Sequence, residues 1–348
     1  MSKIRLMIVD DSLFFRTFLN QKLGKNASIE IVGSFGDPID ASKNITKLRP
    51  DVIAVDMEMP KMRGNEFLRT VLPKHPGVKA VVISSLSGNV FEAMHAGAID
   101  FVGKPGSRPG YDEDQFIKEI ALKIAIASKA HPHAHNGDFR AKSTEKPLTR
   151  PVLSGTTSKN IIAIGASTGG TEAIIDVVKN FPERTPGVVI VQHMPPVFTR
   201  MYAERVDKIC AMRTLEAKNG DRVQRGTILI APGGDLQMHL RQDASGYYVY
   251  LTPGGKVSGH CPSVDVLFDS VAKIAGRHAV GVLLTGMGAD GAKGLVQMKS
   301  LGAHTIGQDE ESCVVYGMPM EAFKRGGVVE QLPLKAIGDA VLRRFGGR

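Results

Sequence analysis

The chain has 348 residues, 43% of them hydrophobic, which is too long for one typical domain and apolar enough to bury a core in each of two. Its formal charge is +9, but the 44 Lys and Arg are scattered, and no Trp and only six Tyr are present for base stacking; no nucleic-acid partner is expected, and the charge reads as a solvated basic surface open to acidic partners. No apolar run approaches the roughly 18 to 20 residues of a membrane helix, and Cys210, Cys261 and Cys313 are odd in number and share no CxxC spacing, so the expectation is a cytoplasmic protein with no membrane insertion, no disulfide framework and no zinc site.

From the N-terminus, the apolar runs IRLMIV, IEIVGSF, DVIAVD, VKAVVIS and AIDFVGK alternate with amphipathic stretches over residues 3 to 128. Such alternation predicts an α/β domain, a five-stranded parallel sheet with helices on both faces. Over residues 129 to 159 the periodicity stops in a polar, proline-bearing tract, read as a linker. Its His131, His133 and His135 alternate as a metal site in an extended segment would, but no cysteine or carboxylate completes the set, so the tract reads as solvated. Strand-helix alternation resumes at Asn160 and runs nearly to the end, interrupted by GTILIAPGGDLQMHLRQDASGYYVYLTP, which looks like strands and hairpins. Residues 160 to 348 are therefore predicted to form a second α/β domain, its sheet mostly parallel with a hairpin insertion.

In the first half, Asp10 and Asp11 follow the first strand, and Asp56 ends the third. A parallel sheet brings these carboxyl ends to one edge. Three crowded carboxylates repel unless a cation or proton compensates, and hard oxygen ligands with room for water suit Mg²⁺. Ser84 ends the fourth strand and Lys104 the fifth. A lysine, a hydroxyl and a metal around a carboxylate can stabilise a transferring phosphoryl group. Two adjacent aspartates alone would read as a surface turn; with Asp56, Ser84 and Lys104 each at a strand end, the set reads as a site.

This half resembles the receiver domain of two-component response regulators over its whole length. The resemblance implies a doubly wound, flavodoxin-like sheet in which Asp56 accepts a phosphoryl group from a chemotaxis histidine kinase. It further implies Mg²⁺ held by Asp10, Asp11, Asp56 and the backbone carbonyl of Glu58, with Ser84 and Lys104 sensing the phosphate. One departure is the segment GNVFEAMHA after the fourth strand, about one helical turn shorter than the family's usual length.

The stretch NIIAIGASTGGTEAII, residues 160 to 175, passes from an apolar strand through a glycine-rich turn into a helical pattern. A dinucleotide site needs GxGxxG and an acid at the end of the next strand. Here Ser167 replaces the middle glycine, and the next strand ends in Gln192 and His193. Both requirements fail. A nucleophile needs the opposite: a serine on a tight strand-to-helix turn, small neighbours, and a base nearby. Gly165, Gly169 and Gly170 supply the neighbours, His193 ends the adjacent predicted strand, and Asp290 is the only acid in the loop TGMGADG that follows a later apolar strand. The order Ser, His, Asp differs from that of α/β-hydrolases and argues for an independent triad.

With GASTGG, QHMPP and GMGADG, and with APGG, HCPSVDVLF and QDEESCVVYGMP beside them, residues 160 to 348 resemble the catalytic domain of the chemotaxis protein-glutamate methylesterases. The resemblance implies a doubly wound domain that hydrolyses γ-glutamyl methyl esters on the cytoplasmic domains of methylated chemoreceptors, and that deamidates selected glutamines. Ser167 would attack, His193 would carry the proton, Asp290 would orient His193, and the backbone N–H groups of Thr168 and Met287 would hold the oxyanion. Ester hydrolysis would need no cofactor. Cys261 reads as a buried or lining thiol with no base beside it. The alternative is a receiver joined to a non-enzymatic ligand- or partner-binding domain; Ser167-dependent esterase activity separates the two.

Overall fold

In the computed structural model, which describes residues 2–85, 90–107, 110–131 and 158–346, the chain divides into two units, Met1–Pro132 and His133–Arg348. The first unit is built as β1 (Ile4–Val9), α1 (Leu13–Leu23), β2 (Ile29–Phe35), α2 (Pro38–Leu48), β3 (Val52–Asp56), α3 (Gly64–Val71), β4 (Lys79–Ser84), α4 (Val90–His95), β5 (Asp100–Gly103) and α5 (Glu113–Lys129). Its apolar strands are legible because a parallel sheet is covered on both faces and so selects unbroken hydrophobic runs. Helix starts are marked by their caps: Ser12 accepts from Phe15 N, Asp37 from Ile39 N with Pro38 next in line, and Asp112 from Gln115 N.

The five strands pair in parallel in the order β2-β1-β3-β4-β5. That order sets β1 beside β3, so the chain turns at Asp10 and Asp56 are neighbours. Phe15 and Phe18 of α1 meet Phe116 of α5 at ring separations of 5.7 and 6.3 Å, which locks the helix following the two aspartates. The helix after β4 is six residues long among the described residues, and residues 86–89 lie outside them.

The second unit runs β6 (Ile161–Ala166), α6 (Gly170–Val178), β7 (Gly187–Gln192), α7 (Phe198–Ile209), β8 (Arg213–Glu216), β9 (Thr227–Ile230), β10 (Leu236–Asp243), β11 (Gly246–Pro253), α8 (Val264–Ala275), β12 (Ala279–Leu283), α9 (Ala292–Ser300), β13 (His304–Gln308), α10 (Met318–Lys324), β14 (Glu330–Leu332) and α11 (Leu334–Arg343). Seven strands form one sheet in the order β14-β13-β12-β6-β7-β9-β8, and every pairing in it is parallel. The sequence reverses direction across the sheet between β6 and β12, a topological switch point, where ligand sites form at the carboxyl ends of strands. The antiparallel hairpin β10-β11 stands apart from that sheet and packs on α8. Its apolar residues Met238, Leu240 and Val249 join Leu267, Phe268 and Val271 of α8 in one core.

Strand β6 is buried along its whole length. Each of its buried isoleucines, Ile161, Ile162 and Ile164, contributes about 1.5–3 kcal/mol relative to exposure. Helix α5 ends at Lys129 and β6 begins at Ile161. His131 is exposed, while His133 and His135 of the expected linker lie outside the described residues.

Candidate active site

The turn that carries Ser167 is shaped by what its glycines omit. A Cβ on Gly165 would strike Val264, and Gly169, at φ +77°, would carry a side chain into Val314. Between them the chain leaves β6, and Ser167 N–H donates to Thr285 O at 3.0 Å while Ser167 O accepts from Gly170 N at 2.7 Å. Ser167 remains partly exposed and Thr168 is buried. Helix α6 then opens at Gly170, its N-terminus at the turn.

Because Ala166 pairs with Gln192 in the β6-β7 ladder, the next residue, His193, comes level with Ser167, and His193 N donates to Ala166 O at 3.1 Å. Gln192 strengthens this juxtaposition. Its buried amide Nε2 donates both to Ser167 O, at 2.9 Å, and to His193 O, at 3.2 Å. A Cβ on Gly170 would meet the Gln192 amide oxygen, so the second glycine of the turn makes room for that clamp.

Asp290 reaches the same point from the loop after β12. Its Oδ2 lies 2.8 Å from His193 Nε2. The carboxylate also accepts from Ser263 Oγ at 2.7 Å, Val264 N at 2.8 Å and Asp265 N at 3.0 Å. It therefore caps the N-terminus of α8, where the helix dipole favours an anion. Burial opposes its ionisation, yet the His193 hydrogen bond and the donors of Asp265 and Ser263 hold its carboxyl below the usual carboxylate range. Burial, reinforced by the Asp290 charge, pushes the adjacent Asp265 up. With Nε2 engaged by Asp290, the second ring nitrogen of His193, Nδ1, is buried and has no hydrogen-bond partner.

Thr285 ties the loop to the serine. Its Oγ1 donates to Thr168 O at 3.0 Å and accepts from Val315 N at 2.9 Å. A Cβ on Gly286 would come within 2.7 Å of Ser167 Cβ, so this backbone rests directly on Ser167. Met287 follows at the exposed rim, 46% accessible.

Sequence reasoning placed Ser167, His193 and Asp290 at strand ends, and the structure brings them together at β6, β7 and β12, with His193 and Asp290 bonded directly. It missed the Gln192 clamp, the Ser263 cap and His260, whose ring stacks on His193 with centroids 3.6 Å apart and planes 8° from parallel. His260 opens the segment HCPSVDVLF, a signal noted without a role. Burial and then the neighbouring His193 press the His260 pKa down to about 4, so its ring is neutral near pH 7. Cys261 is half-buried, its thiol pushed up by burial; Cys210 and Cys313 are buried, and none of the three is in a disulfide.

At the carboxyl edge of the other sheet, oxygens of Asp10, Asp11 and Asp56 lie within 4.8 Å of one another. Lys104 Nζ stands 2.8 Å from Asp56 and 3.3 Å from Asp10. Burial raises the Asp56 carboxyl to about 6 despite the opposing Lys104 hydrogen bond. Clustered hard oxygens around a buried carboxylate fit a small divalent cation. Ser84 pairs with Gly103 and its carbonyl accepts from Lys104 N at 2.9 Å, which places Ser84 and Lys104 together. Glu58 N–H donates to the Asp56 carboxylate, and its side chain accepts from Ser85 Oγ at 3.2 Å. Arg16, unremarked in the sequence, donates to the carbonyls of Asp10 and Asp11 at 2.7 and 3.0 Å.

Comparison with known proteins bears on both edges. The family described as CheB methylesterase matches residues 162–341, and the response regulator receiver domain matches residues 6–111. A protein from Syntrophomonas wolfei named protein-glutamate methylesterase/protein-glutamine glutaminase 2 is 51% identical, over 98% of this chain and 97% of its own. One from Syntrophotalea carbinolica, named protein-glutamate methylesterase/protein-glutamine glutaminase, is 44% identical over 98% and 97%. Among solved structures, the Thermotoga maritima CheB methylesterase catalytic domain has a TM-score of 0.52 and 35% identity, covering 54% of this chain and all of that one.

Proposed function

The chain belongs to the CheB methylesterase family and carries a response regulator receiver domain, and from that membership we infer that it is a phosphorylation-regulated protein-glutamate methylesterase and protein-glutamine glutaminase serving chemotactic adaptation. The observation that carries the assignment of residues is the His193–Asp290 hydrogen bond of 2.8 Å, formed one strand away from a serine on a glycine-lined turn.

We assign Ser167 as nucleophile, His193 as general base and acid, and Asp290 as the group that orients His193. Ser167 Oγ attacks the ester carbonyl while His193 Nδ1, the nitrogen left unpartnered, takes its proton. The negative charge passes to the carbonyl oxygen, for which the N–H groups of Thr168 and Met287 are the proposed donors, each typically contributing about 3 kcal/mol. As the carbonyl re-forms, the C–O bond to methoxide breaks and His193 returns the proton, releasing methanol. Water then attacks the glutamyl-Ser167 ester by the same route and regenerates the serine and a glutamate carboxylate. With a glutamine substrate, ammonia leaves instead.

We take residues 1–128 as the receiver, 129–159 as linker and 160–348 as the catalytic domain. In the receiver, Asp10, Asp11, Asp56 and the Glu58 carbonyl would hold Mg²⁺. A bound Mg²⁺ would neutralise charge on the incoming phosphoryl group. The Asp56 carboxylate accepts that group from a chemotaxis histidine kinase, while Lys104 moves its pairing from carboxylate to phosphate and Ser84 hydrogen-bonds a phosphate oxygen. The substrates are methylated chemoreceptor cytoplasmic domains, and a cytoplasmic location suits them. No helix among the described residues is long and apolar enough to cross a membrane.

The test is methanol release from methylated receptor membranes with and without a small phosphodonor and Mg²⁺. The parent should respond to phosphodonor by tenfold or more, on the arithmetic of a minor active state becoming dominant, and Asp56→Asn should not respond. A phosphodonor response that survives in Asp56→Asn would contradict the assignment of Asp56.

A further inference from the structure

The hydrogen bond from Asp290 fixes His193 at one atom of its ring. That bond alone does not set the tilt of the imidazole about the axis through Nε2, and the tilt decides where Nδ1, which has no hydrogen-bond partner, points. A second restraint, normal to the ring plane, is needed to aim the base. His260 stands where that restraint must act: its ring lies flat against His193, with centroids 3.6 Å apart and an interplanar angle of 8°.

The support for His260 is itself rigid. His260 N donates to Val257 O and Val257 N to His260 O, both at 2.9 Å, closing a small loop between β11 and α8. Gln237 Nε2 donates to Gly255 O in the same loop at 3.0 Å, and Gln237 Oε1 accepts from Ser263 N at 2.8 Å. Ser263 in turn donates to Asp290. One short segment therefore carries both the ring that faces His193 and the hydroxyl that anchors its acid.

We propose that His260 is a positioning residue for the catalytic base, a flat wall that holds the His193 imidazole in the plane where Nδ1 meets Ser167. The proposal rests on the triad reading above. It asks for a flat aromatic face at van der Waals distance and for no proton transfer by His260. A neutral ring also tolerates the imidazolium that His193 becomes during turnover, where a cation in its place would repel it.

The experiment compares His260→Phe and His260→Ala in the full chain, with kcat and KM measured by methanol release from methylated receptor membranes. Phe keeps the face without titrating, and Ala removes it. His260→Ala should lower kcat about ten- to a hundredfold with KM unchanged, the scale of a misplaced catalytic group, and His260→Phe should stay within about threefold of the parent. Circular dichroism and thermal melts verify that each variant is folded. If Ala cannot fold, the Phe variant decides alone, and a loss above tenfold in it overturns the proposal. Parent-like turnover in Ala, equal losses in both variants, or a rise in KM with kcat unchanged would each overturn it as well. Activity that survives Ser167→Ala, run in parallel, would instead sink the triad reading and the role of His260 with it.

Discussion

Asp290 is both a cap of α8 and the partner of His193, the proposed base, and a single substitution bears on both demands. Its two oxygens accept four hydrogen bonds, from His193, Ser263, Val264 and Asp265. An asparagine offers one acceptor oxygen and an NH₂ group, which would face an N–H donor wherever it turned. Asp290→Asn should therefore cost turnover on two counts, a mis-set tautomer of His193 and a weakened α8 N-terminus. We expect kcat about 10³- to 10⁴-fold below the parent yet above that of His193→Ala, since packing and the remaining cap donors still hold the imidazole. Methanol release by the three proteins, with thermal melts alongside, checks this. Equal rates for Asp290→Asn and the parent would mean that another acid orients His193. Asp290 was legible as an acid between glycines after an apolar strand. Ser263 was not, because its bond spans 27 residues and follows from a loop path that no local pattern encodes.

At the scale of elements, the site is made by strand ends held against one another. The carboxyl ends of β12, β6 and β7 adjoin, and the residues just past each carry the proposed chemistry. These strands could be read as unbroken apolar runs of the kind a covered parallel sheet requires, Ser167 and His193 as the first polar residues after β6 and β7, and Asp290 as the acid of the glycine-bearing loop after β12. The connections resisted such reading. The Thr285 bond to Thr168 joins residues 117 apart, and the clamp of Gln192 depends on ladder register rather than on any motif. Gly286 marks a close approach of two elements: a Cβ there would lie 2.7 Å from Ser167 Cβ and would also strike Met318. Gly286→Ala should displace the nucleophile or the oxyanion loop and lower kcat by about a hundredfold or more. The chain should still fold, because Gly286 lies past the end of β12, outside the strand ladder, and the nearest neighbour its Cβ would press is the flexible side chain of Met318. Melting and kinetic measurements on that variant check both halves of the expectation, and parent-like kcat would show that the loop yields without moving Ser167.

At the scale of the whole molecule, two units each place their chemistry at the carboxyl edge of a parallel sheet, and the chain divides between them within the polar tract. Each unit has its own sheet and its own core, so chemistry in one does not require the side chains of the other. That the chain would hold two α/β domains, each on a largely parallel sheet, was legible from periodicity alone. The central claim is that Ser167 is the nucleophile of an esterase whose receiver is phosphorylated on Asp56. It is tested most directly by Ser167→Ala in the full chain, scored for methanol release from methylated receptor membranes and, on the same preparation, for phosphorylation of Asp56 by a small phosphodonor. The account predicts methanol release at least a thousandfold below the parent with phosphorylation unchanged, whereas release within tenfold of the parent would contradict it.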